Sequence, residues 1–80
     1  MNELVTIVYG INRESFTLEA LSRMGVTTTD QLLTNSTMRA MLDINGDNLF
    51  VQDSAGEQVV GNKYLEVGTY SITTRSSEKH

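Results

Sequence analysis

In this 80-residue chain the residues best suited to chemistry are the run Asp43-Ile44-Asn45-Gly46-Asp47-Asn48, the carboxylates and a surplus of serine and threonine hydroxyls. The run has the outline of a calcium loop. Placing Gly46 at the sixth position, however, puts Met41 at the first and Gln52 at the twelfth, where the motif requires an aspartate and a bidentate glutamate. A helix end followed by a polar turn accounts for the same residues. A hydroxyl nucleophile needs a neighbouring base. The single histidine is His80, at the end of the sequence, and the lysines are Lys63 and Lys79, so no Ser-His or Ser-Lys dyad can be assembled. There is no cysteine, which excludes disulfides, thiolate catalysis and cysteine-based zinc or iron-sulfur sites. The carboxylates fall in turns or on outer faces, without the paired environments that separate an acid from a base. The glycines stand singly, never as GxGxxG or a P-loop, so turn geometry explains them. These features predict a protein that is not an enzyme, with no cofactor and no metal.

Charge narrows the partners. Ten acidic residues against six basic ones give a net charge of -4 and a pI near 4.7. The basic residues Arg13, Arg23, Arg39, Lys63, Arg75 and Lys79 form no patch along the chain. Neither nucleic acid nor a membrane is expected to attract such a surface. The start Met1-Asn2-Glu3 lacks a basic segment followed by an apolar run of signal-peptide length, which predicts a cytoplasmic protein. On that expectation the glycosylation pattern Asn35-Ser36-Thr37 is a chance match. At 8.9 kDa, with 39% hydrophobic and 20% charged residues and a mean hydropathy of -0.23, the chain has material for a single globular core and no second domain. One domain is expected over residues 1–75, with a flexible polar tail over 76–80.

Local patterns give the elements that must position any site. Leu4 to Tyr9 carries Val5, Ile7 and Tyr9 on one face and Leu4 and Val8 on the other, which suits a strand in the middle of a sheet. Gly10 breaks it, Asn12-Arg13-Glu14 forms a polar connection, and Ser15 to Leu18 alternates as the antiparallel partner of a short hairpin. Glu19 to Met24 fits either a helical turn or a continued strand, ended by Gly25. Thr28-Thr29-Asp30-Gln31 matches a capping box and predicts a helix start, with Leu32, Leu33, Thr37, Ala40, Met41 and Ile44 as its apolar stripe and Asn45-Gly46 as its stop. Met38 and Met41 fit core filling better than, with Met24, an adaptable binding surface. Asn35 or Ser36 can act as a fresh N-cap, so two helices in tandem are an alternative to one. A strand at 48–52, a turn at 53–57, a short strand at 58–60 and a turn at Gly61-Asn62 follow. Lys63 to Gly68 is then a compact bend with Leu65 tucked in, and Thr69 to Arg75 is the last strand. The expected fold is α+β, a mixed four- to five-stranded sheet covered on one face by one helix or by a helix broken in two, with the first and last strands parallel in the centre.

Three stretches carry a family likeness. Ser15-Phe16-Thr17-Leu18-Glu19 in the opening hairpin is similar to the second strand of ubiquitin. Thr28 to Ile44 is similar to the threonine-initiated, paired-leucine helix of small sulfur carriers. Leu65-Glu66-Val67-Gly68-Thr69-Tyr70 is similar to those carriers' entry into the final strand. On these residues the chain resembles the ubiquitin-like β-grasp superfamily, and within it the bacterial sulfur-carrier proteins of molybdopterin and thiamin synthesis. The carriers end in Gly-Gly, which an activating enzyme threads into its adenylation site, whereas this sequence ends Arg75-Ser76-Ser77-Glu78-Lys79-His80. No catalytic or modification residue therefore carries over.

The function expected by elimination is a non-catalytic ubiquitin-like interaction module that binds a protein partner through its sheet face or an edge strand. The contact elements are the Gln58 to Val60 edge, with Gln58 and Val60 themselves, and the exposed sheet face with Tyr64 and Tyr70. An edge strand also permits a homodimer. One alternative is a small acidic inhibitor or decoy that blocks a basic groove of a partner enzyme, which requires Asp43, Asp47, Asp53 and Glu57 to gather on one face. The other is a degenerate sulfur-carrier-like protein.

Overall fold

The structure, a computed structural model, describes residues 3–46 and 48–74. The elements run β1 (Leu4–Tyr9), β2 (Asn12–Thr17), α1 (Leu18–Met24), α2 (Thr29–Thr34), α3 (Ser36–Leu42), β3 (Leu49–Gln52) and β4 (Gly68–Thr74). The four strands form one mixed sheet in the order β2-β1-β4-β3. β1 pairs antiparallel with β2 and parallel with β4, and β3 pairs antiparallel with β4. Arg75, the expected end of the last strand, the expected tail with its Lys79 and His80, and Asp47 lie outside the described residues. Among the described residues no helix is long and apolar enough to cross a membrane.

Tyr9 pairs with Asn12 across a two-residue turn in which Gly10 takes φ 62. That is the requirement of a tight hairpin whose first central residue must have positive φ. Asn12, Arg13 and Glu14, expected as a connection, are therefore paired strand residues. β2 stops at Thr17 because the Thr17 hydroxyl accepts a hydrogen bond from the Ala20 amide at 3.0 Å and caps α1. Leu18 thus opens a helix instead of closing a strand. Gly25 ends α1 at φ 86, with its N–H on Ser22 O and the Val26 N–H on Leu21 O. The buried pair Leu21 and Val26 completes this Schellman end.

Of the two expected forms of the main helical segment the structure has the broken one, α2 and α3 with Asn35 as the fresh N-cap, and the segment read ambiguously before them is a third helix. Thr28 stands at the N-cap of α2 in a capping-box arrangement whose Gln31 half carries the short bonds: Gln31 Oε1 accepts from the N–H of Thr27 (2.6 Å) and of Thr28 (3.2 Å). Asn35, in extended backbone at φ -69 and ψ 124, stops α2 and caps α3 through its Oδ1 on the Met38 N–H at 2.9 Å. This break resets the helical phase. Leu32, Met38 and Ile44 are buried as expected, but Leu42 joins them in the core while Thr37, Ala40 and Met41, expected on the apolar stripe, are exposed. α3 ends at Asp43, before the expected Asn45-Gly46 stop, because Asp43 itself adopts the left-handed conformation at φ 56 and the Ile44 N–H reaches back to Arg39 O. Arg39 donates to Leu33 O (2.7 Å) and Gly46 O (2.6 Å), joining the end of α2 to the loop after α3.

All the helices lie on one face of the sheet, where Val5, Ile7, Val51, Tyr70 and Ile72 meet Leu21, Leu32, Met38 and Leu42 in a single core. β1 is central, as its composition predicts, yet only one of its faces is buried. Thr6 and Ser15, whose hydroxyls lie 2.9 Å apart, belong with Thr69 to the other face, which no helix covers.

Candidate functional site

The candidate contact residues lie on the stretch between β3 and β4, and the local chemistry of that stretch fixes its shape. Asp53 Oδ1 accepts from the N–H groups of Ala55 and Glu57, both at 3.0 Å, so one side chain organises the turn. Gly56 (φ 82) donates to Asp53 O. The chain then returns beside β3 through one antiparallel bridge, Gln52 to Gln58, made by the Asp53 N–H on Glu57 O at 2.9 Å and the Val59 N–H on Val51 O at 2.8 Å. The short strand expected at 58–60 is reduced to this contact, because Gly61 at φ 81 turns the chain away at once.

Beyond Gly61 the loop is tied to the start of α2. Asn62 Oδ1 accepts from the Asp30 N–H at 3.0 Å, and the Thr29 N–H donates to Lys63 O at 2.8 Å. The buried Thr29 hydroxyl accepts from the Lys63 N–H at 3.1 Å and donates to Gly61 O at 3.5 Å. Tyr64 bridges to Thr28, the Leu65 N–H donates to Thr27 O at 3.0 Å, and the Leu65 side chain is buried as expected.

Between the turn and this loop lies an open concavity of about 400 Å³. Thr29, Val59 and Tyr70 supply its inner wall, Val60 and Tyr64 its apolar rim, and Asp53, Glu57, Glu66 and Lys63 its charges. Gln58, Val60, Tyr64 and Tyr70, named from sequence as contact residues, thus border one hollow. Their placements differ. Gln58 is exposed, and Val60 and Tyr64 are 76% and 79% exposed, but Tyr70 is only 9% exposed. Tyr70 does not belong to the open sheet face: its register opposite Ile7 turns it toward the helices. Its hydroxyl accepts from the Glu66 N–H at 3.0 Å, so the phenol supports the rim from beneath. Replacing Tyr70 with phenylalanine removes that acceptor and leaves a part-buried amide unmatched. The expected loss is about 1–2 kcal/mol of unfolding free energy by urea titration, together with faster amide exchange at Glu66.

Asp53 and Glu57 were singled out in the sequence, but Thr29 and Asn62 were not. The contribution of the latter pair depends on pairings over 30 positions apart, which no local spacing announces. Asp53 and Glu57 do come together in one turn, joined at the rim by Glu66. Asp43 lies before the start of β3 whereas Asp53 follows its end, and Asp47 is outside the described residues. Of the four acids that the decoy alternative needs on one face, Asp53 and Glu57 are the two that border the hollow. Among the described residues no group of three or more His, Cys, Asp or Glu side chains could hold a metal ion, and the one ion pair is the exposed Arg23–Glu19 contact along α1.

No protein-family model, no curated protein and no solved structure matches this chain.

Proposed function

We propose that this chain is a non-catalytic protein-interaction module with a β-grasp, ubiquitin-like build, and that it engages a protein partner through the segment from Gln58 to Tyr64. What supports the build is the sheet order β2-β1-β4-β3, with the first and last strands parallel in the centre and the helices on one side. The docking reading rests on one observation: Val60 and Tyr64 hold large apolar groups in water on a backbone that hydrogen bonds to α2 keep fixed. Exposed apolar groups on a pre-ordered segment lose little entropy when a partner covers them, which is the economy of an interface anchor.

The test is a quantitative pull-down from the native host with the immobilised full chain. A partner enriched by the wild-type chain should fall by tenfold or more with Tyr64→Ala and with Val60→Asp, the scale of an anchor worth about 2 kcal/mol. It should be retained with Ile11→Ser, which removes an equally bare apolar group, fully exposed at the β1–β2 turn. Unchanged capture by both rim variants contradicts the assignment of the segment.

A further inference from the structure

We infer that the concavity beside Tyr64 docks a basic segment of its partner, with an arginine or lysine side chain laid across the tyrosine ring toward the carboxylates of Glu57 and Glu66; this rests on the docking reading above and specifies its chemistry. Three acids, Asp53, Glu57 and Glu66, border the hollow against one base, Lys63. Asp53 is occupied by its own turn, accepting two backbone amides. Glu57 and Glu66 make no ion pair among the described residues, and Lys63 lies beyond ion-pair distance of both. Their negative charge is therefore offered outward, at the edge of a surface whose other prominent groups are an aromatic ring and a valine.

An arginine or lysine suits that combination better than a neutral or acidic group does. Its aliphatic stem can lie on Val60 and Tyr64, its charge can sit over the ring, and its N–H groups can reach the carboxylates. An acidic segment would meet two like charges, and a purely apolar one would strip water from those carboxylates without replacing their hydrogen bonds. The bonds that hold Lys63 and Tyr64 to α2 give the ring a fixed backbone mount, and Tyr70 holds the amide of Glu66 from within. Lys63 has a defined place in this scheme: it is the competing cation, and its removal should strengthen binding.

The experiment titrates the full chain, labelled for amide NMR, with a capped peptide alternating arginine and leucine. Two control peptides carry citrulline or glutamate in place of arginine. Saturable shifts confined to Glu57, Gln58 and residues 63–66 are expected with the arginine peptide alone. They should weaken by severalfold between about 20 mM and about 0.5 M salt. Tyr64→Ala should weaken binding about fivefold, Glu57→Gln with Glu66→Gln about tenfold, and Lys63→Gln should tighten it about threefold. These substitutions are all at the surface, and retained amide dispersion verifies that each variant is folded. Shifts spread equally to Glu3, Glu14 and Glu19 would overturn the site. Equal binding of the citrulline or glutamate peptide at the same residues overturns the basic chemistry while leaving the docking segment intact. Absence of any shift, with the partner still lost on Tyr64→Ala in the pull-down, likewise removes the basic assignment alone. Absence of shift together with unchanged capture removes both readings.

Discussion

Asn35→Ala is expected to lower the unfolding free energy by about 3 kcal/mol, a large share of the 5–15 kcal/mol that holds a typical domain together. The Asn35 side chain serves two helices at once. Its Oδ1 caps α3 on the Met38 N–H, while its Nδ2 donates at 3.0 Å to Met24 O, the last carbonyl of α1. Loss of a cap costs about 1 kcal/mol, and leaving a part-buried carbonyl without its donor costs about 1–3 kcal/mol more. In a domain of this size such a change should lower Tm by more than about 10 °C, measurable by circular dichroism. Asn35→Asp restores the cap acceptor but not the donor and should recover about 1 kcal/mol. An aspartate variant as unstable as the alanine variant would show that the cap contributes nothing.

Gly68→Ala should be about as damaging, by a different route. Gly68 opens β4 at φ 145, and a Cβ built there would lie 2.6 Å from Ser54 Oγ. That hydroxyl cannot simply swing aside, because it accepts from the Thr69 N–H at 2.9 Å and donates to Thr69 O at 3.1 Å. On the side of β4 where pairing with β3 begins only at Ser71, the Ser54 side chain takes both main-chain groups of Thr69. Backbone strain of about 1–3 kcal/mol and the loss of two hydrogen bonds at about 1 kcal/mol each place the total near 3 kcal/mol. Ser54→Ala alone should cost about 1–2 kcal/mol. Because the two residues touch, the double variant should cost less than the sum of the single ones. Strict additivity in urea melts would remove the Ser54 contact from the explanation.

Gly68 also shows where local sequence is informative. As part of Leu65-Glu66-Val67-Gly68 it marked the entry to the last strand correctly, but the need for glycine comes from Ser54, fourteen positions earlier in the chain. The turns at Gly10 and at Asp53 to Glu57 were legible, but not how far pairing runs beyond them: Asn12 to Glu14 joined β2, and 58–60 kept a single bridge. The helices were harder. Thr17 and Asn35 have side chains that compete for the backbone, and each ended one element while starting another. A stripe counted through Asn35 in a single phase selected Thr37 and Met41 and passed over Leu42. Of the candidate site, Val60 was chosen as part of an edge strand and Tyr64 as part of the open sheet face; both are exposed, but on a loop, with Tyr64 bridged to Thr28. The burial of Tyr70 follows from its pairing with Ile7, and the firmness of the rim from bonds between Thr29 and Lys63.

The parallel pair β1 and β4 has a further consequence for how the molecule is made. Val5 waits for Gly68, and Ile7 for Tyr70, so the middle of the sheet closes only after more than sixty further residues have been added to β1. A nascent chain that has emerged only as far as Gln52 carries the residues of β1, β2, α1, α2, α3 and β3 but not those of β4, which fills the place between β1 and β3. Loops this long are costly to close before their contacts reward them, which slows folding and leaves the apolar side of β1 unshielded in the interval. For this sheet the ribosome delivers the strand between β1 and β3 only after both of them.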